Sequence, residues 1–501
     1  MKKNKVLTGT LILTLAGFLT RIMGFFYKIY LSNMLSARDL GLYQLVFPVY
    51  GICFTLYASG IQTSISQMAA SHLDKRRVLY TGMLCSVSIA SLLSMLVYFN
   101  ADFIAQSIIL EPDCTSSFKV LACVFPFCGM TACINGYYYG LKRTAIPALN
   151  QLLEQLVRII SVYFLAIFIG SGDAKVTCEL AVFGVVLGEI AADLFSLFSL
   201  FFHRPAKIIP SSRLRSSESI LKRLLLLAVP LTATRLIISL LNSGESILIP
   251  HMLKAHGLSS SEALGLYGVL HGMAMPFILF PSAITNSLAV LLLPTISEAQ
   301  ADGRKNRIQH IGGLTVKYSI LIGLLSTCVF LVFGDALGNI FFHNPAAGTF
   351  MIILSWLCPF LYLSTTLGSI INGLGQTHLT FLNTVIGLSI RIGFLFVLVP
   401  GHGINGYLTG LLVSQLTISL LDFQAINRSF PLKIDAISWI LKPGISLTFL
   451  GFLTHKSYQY FSMLPDISNA LVLFLCCLGL CLSYLALLYI VDVIRPSDFQ
   501  L

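Results

Sequence analysis

Charge is what this sequence has least of. Only 11% of its 501 residues are Asp, Glu, Lys or Arg, against about 25% in soluble domains, so a water-soluble globular protein is excluded. No Walker motif, no CxxC and no His/Cys ligand spacing occurs, and no polar stretch is long enough for an ATP-hydrolysing domain. An enzyme is therefore not expected, nor a metal or any other cofactor, and any work must draw on an ion gradient, a membrane potential or downhill flow. A large outer loop with an acidic catalytic motif is also missing. The longest candidate, Asn100 to Lys119, offers only Asp102, Glu111 and Asp113, so a membrane-embedded glycosyltransferase or polymerase ranks last. The N-terminal apolar run outlasts a signal-peptide core and lacks a clear small-residue cleavage site, which predicts an uncleaved first helix.

What is present is apolar: 56% of the residues are hydrophobic. A hydrocarbon core about 30 Å thick asks for about 20 apolar residues per helix. On that ruler the chain reads as an all-α polytopic membrane protein of about 14 spans. They are 6–33, 40–70, 78–99, 120–140, 148–169, 179–201, 224–250, 265–293, 313–333, 349–372, 380–400, 405–425, 441–461 and 469–491. The net charge of +11 invites a nucleic-acid reading, but most Lys and Arg fall in loops of one parity. That positive-inside bias predicts both termini in the cytoplasm and no nucleic-acid partner. The twelve cysteines lie mostly in spans. Cys476, Cys477 and Cys481 read as packing residues, while Cys114 and Cys178 would both face outside, where they could pair.

The chain writes one block twice. At a constant, gap-free offset Pro126-Phe127 falls on Pro359-Phe360, Gly140-Leu141 on Gly373-Leu374, Thr144 on Thr377, Leu149-Asn150 on Leu382-Asn383, and Arg158-Ile159 on Arg391-Ile392. Thr20-Arg21 also matches Thr234-Arg235, and Gly41-Leu42-Tyr43 matches Gly265-Leu266-Tyr267. A repeat of this length in so apolar a chain points to a transporter of two similar halves. With six spans per copy both halves point the same way across the membrane, around a cavity. The domains expected are an N-lobe (1–201), a basic cytoplasmic linker (202–223), a C-lobe (224–425) and two further helices (426–501). Prolines 48, 126, 230, 276, 281 and 359 are natural bend points within spans.

Four arginines fall near span centres: Arg21, Arg158, Arg235 and Arg391. Each costs about 2.5–3.5 kcal/mol there on insertion scales, so each needs a partner or a function. Glu154 stands one turn before Arg158, which predicts an i,i+4 ion pair fixing helix packing. Gly387 takes the corresponding place before Arg391. Arg21 and Arg235 have no carboxylate within a turn, and Lys28 lies seven residues beyond Arg21 on the same face. Arg21, Lys28, Arg235 and Arg391 are the candidate lining of a cavity for an anionic substrate, since guanidinium forks match phosphate oxygens. The competing expectation for Arg21 and Arg235, at about even weight, is pairing with carboxylates of other helices. Glu189, Asp193 and Glu245 are candidates for coupling to H+ or Na+; Glu189 and Asp193 could equally answer Arg158 and Arg391, and Glu245 is expected near the outer end, in contact with water. His271 reads as a packing histidine before a proton site, and Asn135, Asn150, Asn372, Asn383 and Gln415 as interhelical glue.

The stretches Thr8-Gly9-Thr10, Arg21-Ile22-Met23-Gly24, Gly41-Leu42-Tyr43-Gln44, Gln151, Glu154-Gln155, Arg158-Ile159 and Gly265-Leu266-Tyr267-Gly268 together resemble the stage V sporulation protein B branch of the polysaccharide-biosynthesis family. That branch belongs to the multidrug/oligosaccharidyl-lipid/polysaccharide exporter superfamily, with the lipid II flippases and drug/cation antiporters. The resemblance covers nearly the whole chain. It implies two six-helix lobes, alternating access and movement of an undecaprenyl-pyrophosphate-linked sugar, a peptidoglycan precursor, to the outer leaflet of the bacterial cytoplasmic membrane. The flippase relatives carry cavity arginines in the first helix and the second lobe; Arg21 fits the first, and Arg235 is the nearest match to the second. They also carry a basic residue in helix two, where this chain has none between Leu40 and Ala70. A cation-coupled multidrug exporter of the same fold is the alternative. The partners expected are the lipid-linked anionic oligosaccharide, membrane lipids and a coupling ion, with the chain a monomer.

Overall fold

The structure, a computed structural model, describes residues 2–71, 74–170, 177–202, 220–432, 435–464, 467–495 and 498, with side chains from Ile12 onward apart from residues 169 and 170. The basic linker, with Arg204, Lys207, Arg213 and Arg215, lies largely outside the described residues. Among the described residues every regular element is helical. Thirteen helices are long and apolar enough to cross a membrane, or 14 with one pair bent by 49°. The first seven are α1 (Lys2–Met34), α2 (Ala37–Ala70), α3 (Lys75–Phe99), the bent α4 (Pro112–Ala122, then Phe125–Gly140), α5 (Ala145–Gly170), α6 (Cys178–Phe202) and α7 (Ile220–Ala255). Then come α8 (Ser260–Leu279), α9 (Lys305–Phe342), α10 (Pro345–Gly373), α11 (Thr377–Val397), α12 (Ile404–Ser429), α13 (Ile437–Phe461) and α14 (Asn469–Ile490). Span eight departs from the single helix expected over 265–293. The helix stops at Leu279 and a second, Ser282–Ala301, follows, because Pro281 has no N–H to continue the ladder.

Local chemistry explains the starts. Ser36 accepts from the Asp39 amide, and Asp74 from the amides of Arg76 and Arg77; each satisfies donors that a helix N-terminus leaves open. Ser259 and Glu262 form a reciprocal capping box at α8: the Glu262 amide donates to Ser259 Oγ at 3.3 Å, and the Ser259 amide to Glu262 Oε2 at 3.0 Å. The repeat is visible in the helix bounds. Phe125–Gly140 and Cys358–Gly373 are each 16 residues long, each carries a proline in its first turn, and their bounds differ by the same offset as the sequence block. Each ends on a glycine pressed against a neighbouring helix, Gly140 against α2 and Gly373 against the helix Ser282–Ala301. A Cβ on Gly140 would lie 2.5 Å from Ser66 O, and one on Gly373 3.0 Å from Leu293 O.

By packing, the chain forms two compact units, one of residues up to Lys254 with Leu258–Gly268, the other of Ala255–Gly257 with Val269 onward. In the first, Ile61, Ile65, Val78, Leu79, Ile134, Tyr138 and Leu224 form a core shared by α2, α3, α4 and α7. The start of α8 crosses α2 closely: a Cβ on Gly41 would lie 2.2 Å from Leu264 O, and one on Gly268 2.2 Å from Ala37 O. The loop before α4 is held by its acids. Asp113 pairs with Arg38, Asp102 with Lys119 at 3.5 Å, and buried Glu111 accepts from Lys254 Nζ and, at 2.8 Å, from Ser260 Oγ. Cys114 and Cys178 are both free thiols, with Ser117 Oγ 3.5 Å from Cys178 Sγ. In the second unit Ile296, Ile308, Leu367, Ile370, Ile371 and Ile426 form the corresponding core. There Lys317 Nζ donates to Asp498 Oδ2 at 2.6 Å and Tyr318 Oη to the same oxygen at 3.2 Å.

Candidate functional site

Three of the candidate arginines belong to the first unit, and each has a different environment. Arg158 on α5 donates through Nη2 to Glu154 Oε1, one turn earlier. Gly188 of α6 lets the helices meet here, since a Cβ would lie 2.8 Å from Glu154 O and 3.2 Å from Arg158 Cβ. Glu189, the next residue on α6, is within electrostatic reach of both members of the pair and accepts from Tyr50 Oη at 3.1 Å. A turn further on, Asp193 is 1% exposed and accepts from Thr131 Oγ1 at 3.1 Å. Glu189 and Asp193 thus share one helix and one electrostatic neighbourhood. Glu245 is placed differently from the expectation of contact with water: it is 5% exposed and neighbours Tyr267 of α8. Its position on α7 among packed residues explains the difference. The ring of His271 lies 6.3 Å from that of Tyr407.

Arg235 on α7 is exposed, yet its Nη1 is fully engaged. It donates to Ser59 O at 2.7 Å, Ser59 Oγ at 2.6 Å and Thr63 Oγ1 at 3.2 Å. Ser59 ends a wide, π-type turn, Thr55–Ser59, within α2; such turns recur at functional sites. The expected carboxylate partner from another helix is not found for Arg235 among the described residues, and all three acceptors are neutral. Helix two therefore carries a guanidinium on its surface although it has no basic residue of its own from Leu40 to Ala70. Arg21, exposed on α1, makes no hydrogen bond or ion pair among the described residues, and neither does half-buried Lys28. Arg391 lies on α11 in the second unit, with Gly387 one turn before it pressed against Ile418 of α12.

Sequence reasoning missed three kinds of participant. Ser59 and Thr63 are ordinary span residues until α7 is placed beside them. Tyr50 was equally silent. Asp422 on α12, 2% exposed, was overlooked although the repeat offset puts it on Glu189. Its Oδ1 accepts from Asn383 Nδ2 at 2.8 Å, so the asparagine expected to glue helices does so through an acid. Among the described residues no group of three or more His, Cys, Asp or Glu is placed to hold a metal ion.

Residues 6–300 match the sequence profile of the family described as polysaccharide biosynthesis protein, and residues 218–397 match the MatE family. Stage V sporulation protein B of Bacillus subtilis (strain 168) is 25% identical over 92% of this chain and 91% of its own length. Lipid II flippase MurJ of the same organism is 21% identical over 85% of this chain and 83% of its own. A solved structure of lipid II flippase MurJ in an inward closed conformation matches with a TM-score of 0.73 at 16% identity, covering 97% of this chain and all of that one. The fold is that of this transporter class, and the match to the first profile runs over more than half of the sequence: the chain belongs to the polysaccharide biosynthesis protein family.

Proposed function

We propose that this multi-pass membrane protein is a flippase that carries an undecaprenyl-pyrophosphate-linked oligosaccharide, a peptidoglycan precursor, from the inner to the outer leaflet by alternating access. The observation that carries this reading is cationic groups kept within spans without anionic partners: Arg235 on neutral acceptors and Arg21 and Lys28 with no partner among the described residues. A charge left so in a bilayer costs energy that a pyrophosphate would return on binding. Arg391 is, in this reading, a basic residue of the second lobe that also meets the substrate, and its place in the repeat is that of Arg158. The Glu154–Arg158 pair is structural in this reading, and Glu189, Asp193 and Glu245 are where H+ or Na+ would couple. The domain division at 202–223, cytoplasmic termini and a monomeric state belong to the same proposal. A cysteine placed in the 202–223 loop of intact cells should resist a membrane-impermeant label.

The second reading is a cation-coupled multidrug exporter. The MatE match and the buried acids Asp193 and Asp422 favour it, because acidic groups suit cationic drugs. A glycosyltransferase would need the loop acids for catalysis, whereas Asp102, Glu111 and Asp113 are each engaged in an ion pair. The deciding experiment is rescue of a bacterium depleted of its peptidoglycan-precursor flippase, scored beside ethidium efflux in the same strain. Rescue without efflux is expected; efflux without rescue would reverse the order of the two readings.

A further inference from the structure

We infer that Ser59 and Thr63 are positioning residues that moor Arg235 by one nitrogen, so that its opposite edge is presented as a fork for a phosphate-type anion. The inference rests on the flippase reading and adds to it how the binding edge is set. A guanidinium carries five N–H groups in a rigid plane. The two on Nη1 are divided among Ser59 O, Ser59 Oγ and Thr63 Oγ1. Nε and Nη2, which lie side by side and point the same way, make no hydrogen bond among the described residues. That side edge matches two oxygens of a phosphate or pyrophosphate bidentately.

The mooring is built into α2 and α7 together. A Cβ on Gly60 would lie 2.1 Å from Thr232 Oγ1 and 2.6 Å from Ala228 O, so only glycine lets the two helices approach this closely. Arg235 follows Thr232 by three residues, most of a turn, which swings it beside Ser59. Thr63 Oγ1 also donates to Ser59 O at 3.1 Å, so its hydroxyl hydrogen is engaged there and its lone pair is left for Arg235. The acceptors orient the plane without cancelling its charge. A carboxylate in their place would have neutralised the cation and raised the cost of capturing a second anion. Three contacts also restrain a side chain whose rotamer entropy would otherwise be lost at binding.

The test is equilibrium binding to the purified full-length chain in detergent, with undecaprenyl pyrophosphate as probe and undecaprenol as the uncharged control. The parent should bind the pyrophosphate lipid more tightly than undecaprenol. Ser59→Ala with Thr63→Val should weaken pyrophosphate binding about tenfold, the worth of one charge-assisted hydrogen bond in orientation, and leave undecaprenol binding unchanged. Ser59→Thr, which keeps a hydroxyl, should bind as the parent does. In an Arg235→Ala background the Ser59/Thr63 changes should have no further effect, the coupling that a positioning role requires. Should the double variant not fold, Ser59→Ala alone, which keeps the carbonyl contact, answers the same question at about threefold by the same scale. An equal loss with and without Arg235 overturns the mooring in favour of a packing role, and so does unchanged binding when Arg235→Ala alone weakens it. If the parent does not distinguish undecaprenyl pyrophosphate from undecaprenol, the flippase reading itself falls and the mooring with it.

Discussion

Arg21 and Arg235 start from the same dipeptide, Thr20-Arg21 and Thr234-Arg235, and end in different company. α7 closes on α2 through Gly60 and lays Arg235 on Ser59 and Thr63. α1 meets α5 instead, where a Cβ on Gly24 would lie 3.3 Å from Gln155 Nε2, and Arg21 has no partner among the described residues. The two copies therefore share the cation and not its mooring. A residue retained purely to fix helix packing would be expected to keep its contacts along with its identity. Arg158 is the counter-example inside the same unit, a spanning arginine whose charge is answered one turn away by Glu154. The contrast separates an arginine paired within the fold from two that have no anionic partner among the described residues.

The largest effect that could break this contrast is on folding. Arg158→Ala should strand Glu154 and cost about 3–5 kcal/mol, read as a fall in membrane abundance and melting temperature. Replacing Glu154 and Arg158 together with leucine should recover much of the loss, because neither member of the pair is then left buried without the other. If the double replacement is as damaging as the single one, the pair is not the structural unit described here.

Next in size is transport. Arg21→Ala and Arg235→Ala should leave abundance near normal and lower flipping about 100-fold, the loss of two charge-assisted bonds to one headgroup. Lysine at Arg235 should rescue only in part, since an ammonium cannot reproduce the fork. Loss of protein with loss of activity in both alanine variants would place these arginines with Arg158 and erase the distinction.

Much of this was legible in the sequence because a bilayer makes period and polarity strict. The span count, the all-helical class and the Glu154–Arg158 pair follow from apolar run length and i,i+4 spacing alone. The repeat offset even fixes the bounds of Phe125–Gly140 and Cys358–Gly373. What was hidden depends on which helix lies beside which. Ser59 and Thr63 are unremarked hydroxyls without α7, and Glu245 looked wet because its span was read as ending at 250, whereas α7 runs to Ala255. Asp422 was passed over because it stands three residues from an expected span end.

A smaller effect would sharpen the reason the copies differ. Gly60→Ala inserts a methyl where Thr232 Oγ1 would lie 2.1 Å away, so α7 must shift or tilt at about 1–3 kcal/mol of overpacking. The expected signature is a lower melting temperature together with weaker undecaprenyl pyrophosphate binding, since Arg235 leaves Ser59 as α7 moves. Gly24→Ala, on the α1 side, meets only the far end of the Gln155 side chain at 3.3 Å, which can rotate aside. It should change neither measurement beyond about 0.5 kcal/mol.

The smallest effect compares the buried acids of the two copies. Asp193 and Asp422 are 1% and 2% exposed, and each accepts one side-chain hydrogen bond among the described residues, from Thr131 at 3.1 Å and from Asn383 at 2.8 Å. Thr131→Val and Asn383→Leu remove those donors at nearly constant volume. Each should lower stability by about 1.5 kcal/mol, since a buried acceptor loses its partner while the packing stays. Thermal unfolding of the solubilised protein would measure both. Equal losses would mean that the acids are held alike and that the asymmetry between copies is confined to the arginines. A clearly larger loss for Asn383→Leu would mean that the copies have diverged at the acids as well, and would point to α12, rather than α6, as the helix whose carboxyl is held for cation coupling.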